Sequence, residues 1–222
     1  MKDNKGGFTL VELLSVIVVI AILTVIGSVG WQSAIQRARA AQCLSNLRTI
    51  GLASMGYAAD HDMTLPVTVH QRKQGLQSWT LSLQEYTTTT LCFKCPCDEV
   101  KDRQFTYCIN DFLTPNPAGA AQLNFSRLSR LSSPARTVMF AEASKGYLNA
   151  DHFHFADYVG LNIPSDLFAD QVAVERHFRG ANYLFADGHV ENLSWKAVKE
   201  ILNTPRNVFV DPTGNYTDPQ NQ

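Results

Sequence analysis

An uncharged, strongly apolar run near the amino terminus constrains this chain more than any other feature. The run extends from Leu13 to Gln36, and its first half consists almost wholly of Leu, Val, Ile and Ala. About 20 apolar residues span the hydrocarbon core of a bilayer as an α-helix, and the sequence contains no second run of this kind. The sequence therefore predicts one membrane-spanning helix, at about residues 8–34, followed by a single globular domain.

The charge of the chain is balanced, with 19 Lys and Arg residues against 20 Asp and Glu residues. A chain without a basic excess lacks the electrostatic attraction on which nucleic-acid binding depends, so we expect no nucleic-acid partner. The positive-inside rule does not decide the orientation of the predicted membrane helix. Basic residues flank it on both sides, at Lys2, Lys5, Arg37, Arg39 and Arg48.

A carboxylate, Glu12, lies at the amino-terminal edge of the apolar run. An ordinary secretory signal would have a shorter apolar core and a small-residue cleavage site after it. A charge at the bilayer centre costs about 2.5–3.5 kcal/mol, and although the cost is smaller near the interface, Glu12 requires an explanation. If the chain is cut after Gly7, Glu12 lies one helical turn from the new amino group of Phe8, on the same face. The carboxylate of one subunit could then neutralise the amine of a neighbour.

The segment Gly7-Phe8-Thr9-Leu10-Val11-Glu12-Leu13-Leu14 resembles the prepilin cleavage and methylation motif. The resemblance implies cleavage between Gly7 and Phe8 by a prepilin peptidase, N-methylation of Phe8, and a role for Glu12 in assembly with other pilins or pseudopilins. It also implies a single-pass inner-membrane protein whose carboxy-terminal domain is extracytoplasmic, assembled into a periplasmic or surface filament. The alternative is a plain signal anchor in which Glu12 is accidental.

The helical pattern continues beyond the apolar run, with a stripe at Ile35, Ala38, Leu44, Leu47, Ile50 and Tyr57. Gly56 and the polar residues 60–62 indicate that the helix ends near residue 60. We therefore expect a leader at residues 1–7, a helix at 8–60 and a globular domain at 61–222. Gly27 and Gly30 lower helix propensity and mark either a weak point of the helix or a place of close helix packing.

Later segments carry a second resemblance. They are residues 41–53, Ser78-Trp79, residues 92–98, residues 107–110, and His177 followed after nine residues by Asp187-Gly188. Their order is similar to that of the bacterial prepilin-like proteins called H-x9-DG proteins. The resemblance extends to about residue 195 and implies an α+β, pilin-like fold, in which a long helix packs on a small antiparallel sheet.

The five cysteines allow two interpretations. Cys92, Cys95, Cys97 and Cys108 could supply four thiolates to zinc, whereas disulfides are favoured outside the cytoplasm. The H-x9-DG resemblance implies a Cys43–Cys95 disulfide. Two of the remaining three cysteines could then form a second bridge.

Asp187-Gly188 predicts a β-hairpin with a type I′ turn, in which Phe185 faces Val190 and Tyr183 faces Asn192. His177 could bond to this hairpin. It could alternatively join Asp187 and His189 in a metal site. Carboxylate and carbonyl ligands would suit calcium, whereas the histidines would suit a transition metal.

We conclude from the sequence that the chain is a major or minor filament subunit of a type II secretion-like or type IV pilus-like machine. No nucleophile elbow, phosphate loop or metalloprotease helix occurs, so we expect no enzyme, no catalytic residue and no cofactor apart from calcium. The rival hypothesis is a pilin-anchored surface module that binds carbohydrate or protein. Its candidate contacts are Trp79, Tyr86, Tyr147 and Tyr158.

Overall fold

A computed structural model describes residues 8–69, 78–115, 125–147 and 151–214. Its longest element is helix α1, Leu10–Asp60, which corresponds to the long amino-terminal helix predicted from the sequence. The chain divides into two compact units, residues 1–38 and residues 39–222, and α1 contributes to both. The predicted α+β class is confirmed.

The described part of the first unit is a helix without an internal partner. Every side chain that is described between residues 8 and 34 is exposed. By its length and composition, helix α1 is long and apolar enough to cross a membrane. Within this unit, the apolar side chains bury nothing against one another.

In the second unit, α1 presents one face to the protein core. Its buried apolar positions recur at intervals of three to five residues, at Cys43, Leu47, Ile50, Ala53 and Ala58, as expected for an amphipathic helix. Of the predicted stripe, Leu47 and Ile50 are buried, whereas Ala38 is exposed.

Two glycines let the helix approach its neighbours closely. A Cβ atom on Gly51 would lie 3.0 Å from Leu184 Cδ1, and one on Gly56 would lie 3.0 Å from Tyr86 Cδ1. Helix α1 ends at Asp60, near the position expected from Gly56 and residues 60–62, and Gly56 lies inside the helix, where it packs against the Tyr86 ring.

The sheet has five strands, in the order β3-β1-β2-β4-β5. The predicted antiparallel sheet is in fact mixed, since β3 runs parallel to β1. The backbone N–H of Ile109 donates to the carbonyl of Asp151 at 3.0 Å, which ties the start of β3 beside β1. The strands are β1 (Tyr107–Asn110), β2 (Val138–Glu142), β3 (His152–Phe153), β4 (Ala181–Phe185) and β5 (Val190–Leu193).

Both faces of the sheet are covered, so that β1, β2 and β4 are buried along their whole length. Tyr107 and Ile109 pack into the cluster that contains the α1 residues, whereas Cys108 points into a second cluster. Three short helices complete the unit: α2 (Trp79–Ser82), α3 (Ser165–Gln171) and α4 (Trp195–Leu202). Trp79 of α2 belongs to the first cluster, and Phe168 of α3 and Val198 of α4 belong to the second.

The β4–β5 hairpin forms, but its predicted register was wrong by one residue. Leu184 pairs with Val190, and Asn182 pairs with Asn192. The Gly188 N–H donates to the Phe185 carbonyl at 2.9 Å, and the Phe185 N–H donates to the His189 carbonyl at 2.9 Å. These bonds enclose a three-residue loop in which only Gly188 needs a positive φ, at 93°, which is the G1-bulge arrangement rather than a type I′ turn.

Candidate functional site

The predicted processing site lies at the boundary of the described residues. Gly7 lies outside them, while Phe8 is described and its side chain is 86% exposed. Helix α1 begins two residues later, at Leu10. Phe8 therefore precedes the helix, and the chain there is not held by α-helical structure.

Thr9 and Glu12 close the start of α1 by a reciprocal pair of hydrogen bonds. The Thr9 backbone N–H donates to Glu12 Oε2 at 2.8 Å, and the Glu12 backbone N–H donates to Thr9 Oγ1 at 3.3 Å. The Thr9 hydroxyl also donates to Glu12 Oε2, at 2.7 Å. This arrangement is a capping box, which satisfies backbone donors that the first helical turn leaves without partners.

Glu12 therefore caps its own helix, a role that was not predicted from the sequence. The signal was present in the sequence, since a Thr followed three residues later by Glu before an apolar run is typical of a helix start. Both bonds from Thr9 reach the same oxygen, Oε2. A carboxylate has about four acceptor positions, so Glu12 can cap its helix and still accept a hydrogen bond from a second group.

The three residues of the predicted calcium site do not form one cluster. His177 is buried, and its Nε2 lies 2.8 Å from Glu142 Oε2. Asp187 and His189 instead pair with each other at the exposed hairpin, with 2.6 Å between Asp187 Oδ1 and His189 Nδ1. No carboxylate of the hairpin joins His177 among the described groups that could hold a metal, and calcium binding by this chain stays a prediction.

His177 has instead a structural place at the entry to β4. Its backbone forms two hydrogen bonds with the backbone of Gly180. The resulting turn, residues 177–180, directly precedes strand β4. A Cβ atom on Gly180 would lie 1.9 Å from the Leu193 carbonyl oxygen, so that a side chain cannot fit there. The nine residues between His177 and Asp187 thus contain this tight turn, strand β4 and the start of the hairpin loop.

A buried ionic network surrounds His177. Arg176 Nη2 lies 3.5 Å from Asp98 Oδ1, Arg176 Nη1 lies 3.8 Å from Glu142 Oε2, and Arg103 Nη1 lies 3.5 Å from Asp98 Oδ2. All of these side chains are at most 7% exposed. Buried charges persist only when they are paired and hydrogen-bonded, and this network joins the segment around Asp98 to the end of β2 and to the turn before β4.

The cysteines fall into two groups. Cys43 of α1 and Cys95 are joined by a disulfide, which ties the helix to the sheet side of the second unit. Cys92, Cys97 and Cys108 are free thiols, so the predicted second bridge is not formed. Cys108 lies in the second core cluster, away from the first cluster that contains the bonded pair.

The aromatic residues proposed as surface contacts do not form an exposed patch. Trp79 is completely buried, and its indole N–H donates to the Asp151 carbonyl. Tyr86, Tyr147 and Tyr158 are half-buried. The burial of Trp79 removes the leading candidate contact of a surface-binding module.

The amino-terminal segment matches a known protein family. Residues 2–28 match the family model described as the prokaryotic N-terminal methylation motif. Comparison with curated proteins and with solved structures gave no match. The matched residues include the predicted cleavage site, Glu12 and the first part of α1, and they support a prepilin-like protein with an apolar amino-terminal helix that fits membrane anchoring. The H-x9-DG resemblance lies outside the matched residues and stays a prediction.

Proposed function

We propose that this chain is a filament subunit of a type II secretion-like or type IV pilus-like machine. The observation that carries the proposal is the methylation motif at residues 2–28, placed at the start of an apolar helix whose described side chains between residues 8 and 34 are exposed. A prepilin-like motif of this kind is typical of a structural subunit rather than an enzyme.

The first step of the proposed function is processing. A prepilin peptidase of the inner membrane cuts the bond between Gly7 and Phe8, and the new amino group on Phe8 is methylated. Phe8, on the carboxyl side of the scissile bond, precedes the first residue of α1 and is therefore outside the helix. The second unit is extracytoplasmic in this proposal, where a disulfide such as Cys43–Cys95 persists.

The second step is assembly. The exposed apolar surface of residues 8–34 is stable in lipid before assembly and against the same helix of neighbouring subunits afterwards. The capping box holds the Glu12 carboxylate at the start of the helix. There the carboxylate can accept a hydrogen bond from the Phe8 ammonium group of a neighbouring subunit. When one face of a subunit binds a different face of the next and the rotation between them does not close into a ring, the subunits build a fibre.

Intact-mass spectrometry of the protein from membranes tests the processing step. We expect the mature chain to lack Met1–Gly7 and to carry one added methyl group on Phe8. A Gly7→Val variant, which adds bulk directly at the scissile bond, should accumulate with its leader attached, while Gly6→Val should be processed like the wild type. A wild-type chain that keeps its leader in cells with an active prepilin peptidase would contradict the proposal.

A further inference from the structure

Four potential metal ligands meet in the second unit, away from the amino-terminal segment. Cys43, Cys95, Cys97 and His177 each offer one ligand atom, and these atoms all lie within 4.8 Å of one another. Cys95 Sγ lies 3.9 Å from His177 Nε2. In a tetrahedral zinc site with ordinary bond lengths, neighbouring sulfur and nitrogen ligands are about 3.6 Å apart, so Cys95 Sγ and His177 Nε2 are already close to that spacing.

The cluster is drawn from three separate parts of the chain. Cys43 is on the buried face of α1, Cys95 and Cys97 are in the segment before β1, and His177 precedes the turn into β4. Cys43, Cys95 and His177 are buried, while Cys97 is half-buried. Cys95 also lines a surface groove of about 660 Å³.

Two sulfur atoms of the cluster are already bonded to each other, and the third is beside them. The Cys43–Cys95 disulfide leaves Cys97 as a free thiol, and the Cys97 backbone N–H lies 3.4 Å from Cys95 Sγ. The disulfide therefore represents the oxidised state of a group of three cysteines.

His177 presents the same ring nitrogen to the cysteines and to a carboxylate. Its Nε2 lies 3.9 Å from Cys95 Sγ and contacts both carboxylate oxygens of Glu142, at 2.8 and 2.9 Å. A zinc-bound imidazole contacts a carboxylate through its other ring nitrogen, so zinc binding at Nε2 would replace the contact with Glu142.

We propose that reduction of the Cys43–Cys95 disulfide converts this cluster into a zinc site formed by Cys43, Cys95, Cys97 and His177. A dithiol reductant supplies two electrons and two protons, the S–S bond breaks, and two thiols form. Zinc then replaces the thiol protons of the three cysteines, which are released to water, and binds the imidazole as a neutral ligand. Three sulfur donors and one nitrogen suit zinc rather than calcium.

The consequence is that α1 has two alternative connections to the rest of the second unit. In the oxidised chain the connection is the disulfide, and in the reduced chain it is the metal. Both connect the same residues, so the fold of the second unit is retained when the redox state changes.

Cobalt titration of the reduced, full-length chain in detergent tests this site, because tetrahedral Co²⁺ with thiolate ligands has strong visible and near-ultraviolet absorption. The chain is reduced with a phosphine, and Cys97→Ser is compared with Cys92→Ser, which changes a free cysteine outside the cluster. We expect one Co²⁺ per reduced wild-type chain, displaced by Zn²⁺, and the same for Cys92→Ser. Cys97→Ser should bind roughly 100-fold more weakly or worse, since loss of a direct ligand exceeds the effect of losing an outer contact.

The oxidised chains provide the folding control. Oxidised wild type and oxidised Cys97→Ser should unfold at the same temperature and bind no Co²⁺ with thiolate absorption. A second measurement reduces the disulfide with Zn²⁺ already present and counts alkylated thiols under native conditions, where Zn²⁺ should protect Cys97 in the wild type. The proposal is overturned if Cys97→Ser binds Co²⁺ as tightly as Cys92→Ser, if the reduced wild type binds none, or if it unfolds on reduction despite Zn²⁺.

Discussion

Two stretches of the same helix differ in what surrounds them. Between residues 10 and 34, every described side chain of α1 is exposed, although most are Leu, Val, Ile or Ala. Between residues 39 and 60, the helix buries Cys43, Leu47 and Ile50 completely and leaves other positions in solvent. Apolar surface removed from water contributes about 25 cal/mol per Å². The second stretch gains that contribution inside its own unit, whereas the described side chains of the first stretch remain exposed. Our proposal is that lipid and neighbouring subunits cover them.

The two units also differ in the number and surroundings of their charged residues. Glu12 is the only charged residue between Lys5 and Arg37, and its described hydrogen bonds are within its own helix start. The second unit holds a buried network of four charged side chains and a histidine. Changes in the second unit should therefore alter its own stability, and changes in the first should alter assembly.

The largest effect is expected for Gly180→Ala. The new Cβ atom would lie 1.9 Å from a backbone oxygen, Leu193 O, which cannot rotate away as a side chain does. We expect the second unit to lose about 4 kcal/mol or more of its free energy of unfolding, while membrane insertion of the first stretch continues. Gly146→Ala is the control, because nothing lies within 4 Å of a Cβ atom there. Equal thermal unfolding of the two variants would contradict the account of this turn.

A smaller loss is expected when the disulfide is removed by Cys43→Ser and Cys95→Ser together. The bond closes a loop with a sequence separation of 52 residues, for which the chain-entropy model gives about 4 kcal/mol and measured values are commonly 2–4 kcal/mol. Chemical unfolding of the oxidised double variant and of Cys108→Ser measures the difference. A double variant as stable as wild type would show that the helix is held to the sheet by packing alone.

The smallest effect is expected for Tyr183→Phe. The Tyr183 hydroxyl is buried without a hydrogen-bond partner among the described residues, so its removal should leave stability at pH 7 unchanged or raise it by up to about 1 kcal/mol. Tyr107→Phe should instead lower stability by about 1 kcal/mol, because the Tyr107 hydroxyl donates to the Cys43 carbonyl at 3.3 Å. Equal effects of the two substitutions at pH 7 would contradict this distinction.

The stability of Tyr183→Phe and wild type should also differ in its dependence on alkaline pH. Burial, assisted by the charge of Glu142, raises the pKa of Tyr183 well above its usual value of 10.0. Above about pH 10, Tyr183 loses its proton in the unfolded chain but keeps it in the folded chain. The stability that the neutral Tyr183 contributes is therefore fully present below about pH 10 and is lost as pH rises toward the folded-state pKa. The free energy of unfolding should therefore fall less steeply above pH 10 in Tyr183→Phe than in wild type. Parallel pH curves for the two chains would be inconsistent with a buried, neutral Tyr183.

The long helix was predictable because its signals are local. The apolar run, the polar residues near Asp60 and the Thr9–Glu12 spacing all lie within a few residues of the features that they specify. The capping box could have been found from the same sequence. By contrast, the packing of Gly56 against the Tyr86 ring could not be predicted, because nothing near Gly56 in the sequence identifies that ring.

The sheet and the surroundings of His177 depend on contacts that are distant in sequence. Strand β3 has two residues, His152 and Phe153, and too short a pattern to indicate a parallel pairing. His177 and Glu142 are 35 residues apart, and no spacing rule connects them. The hairpin was predictable from Asp187-Gly188, but its register was not, because a two-residue and a three-residue loop both accept Gly188 with positive φ.

The central claim is that the first stretch of α1 is completed by neighbouring subunits, with the Glu12 carboxylate paired to the Phe8 ammonium of a neighbour. The structure offers a way to separate this charge from the capping role of the same residue. Glu12→Gln keeps a side chain that can complete a capping box but removes the charge, whereas Glu12→Leu removes both.

Recovery of each variant in the sheared filament fraction, relative to the inner-membrane fraction, is the measurement that tests the claim most directly. Both variants should be cleaved after Gly7 and accumulate in the membrane like wild type. Both should fall by roughly tenfold or more in the sheared fraction, because an unpaired buried ammonium costs several kcal/mol. If Glu12→Gln assembles as well as wild type, Glu12 acts through helix capping and not through charge. If Glu12→Leu does so too, the first stretch of α1 is a membrane anchor only, and the chain is not a filament subunit assembled through Glu12.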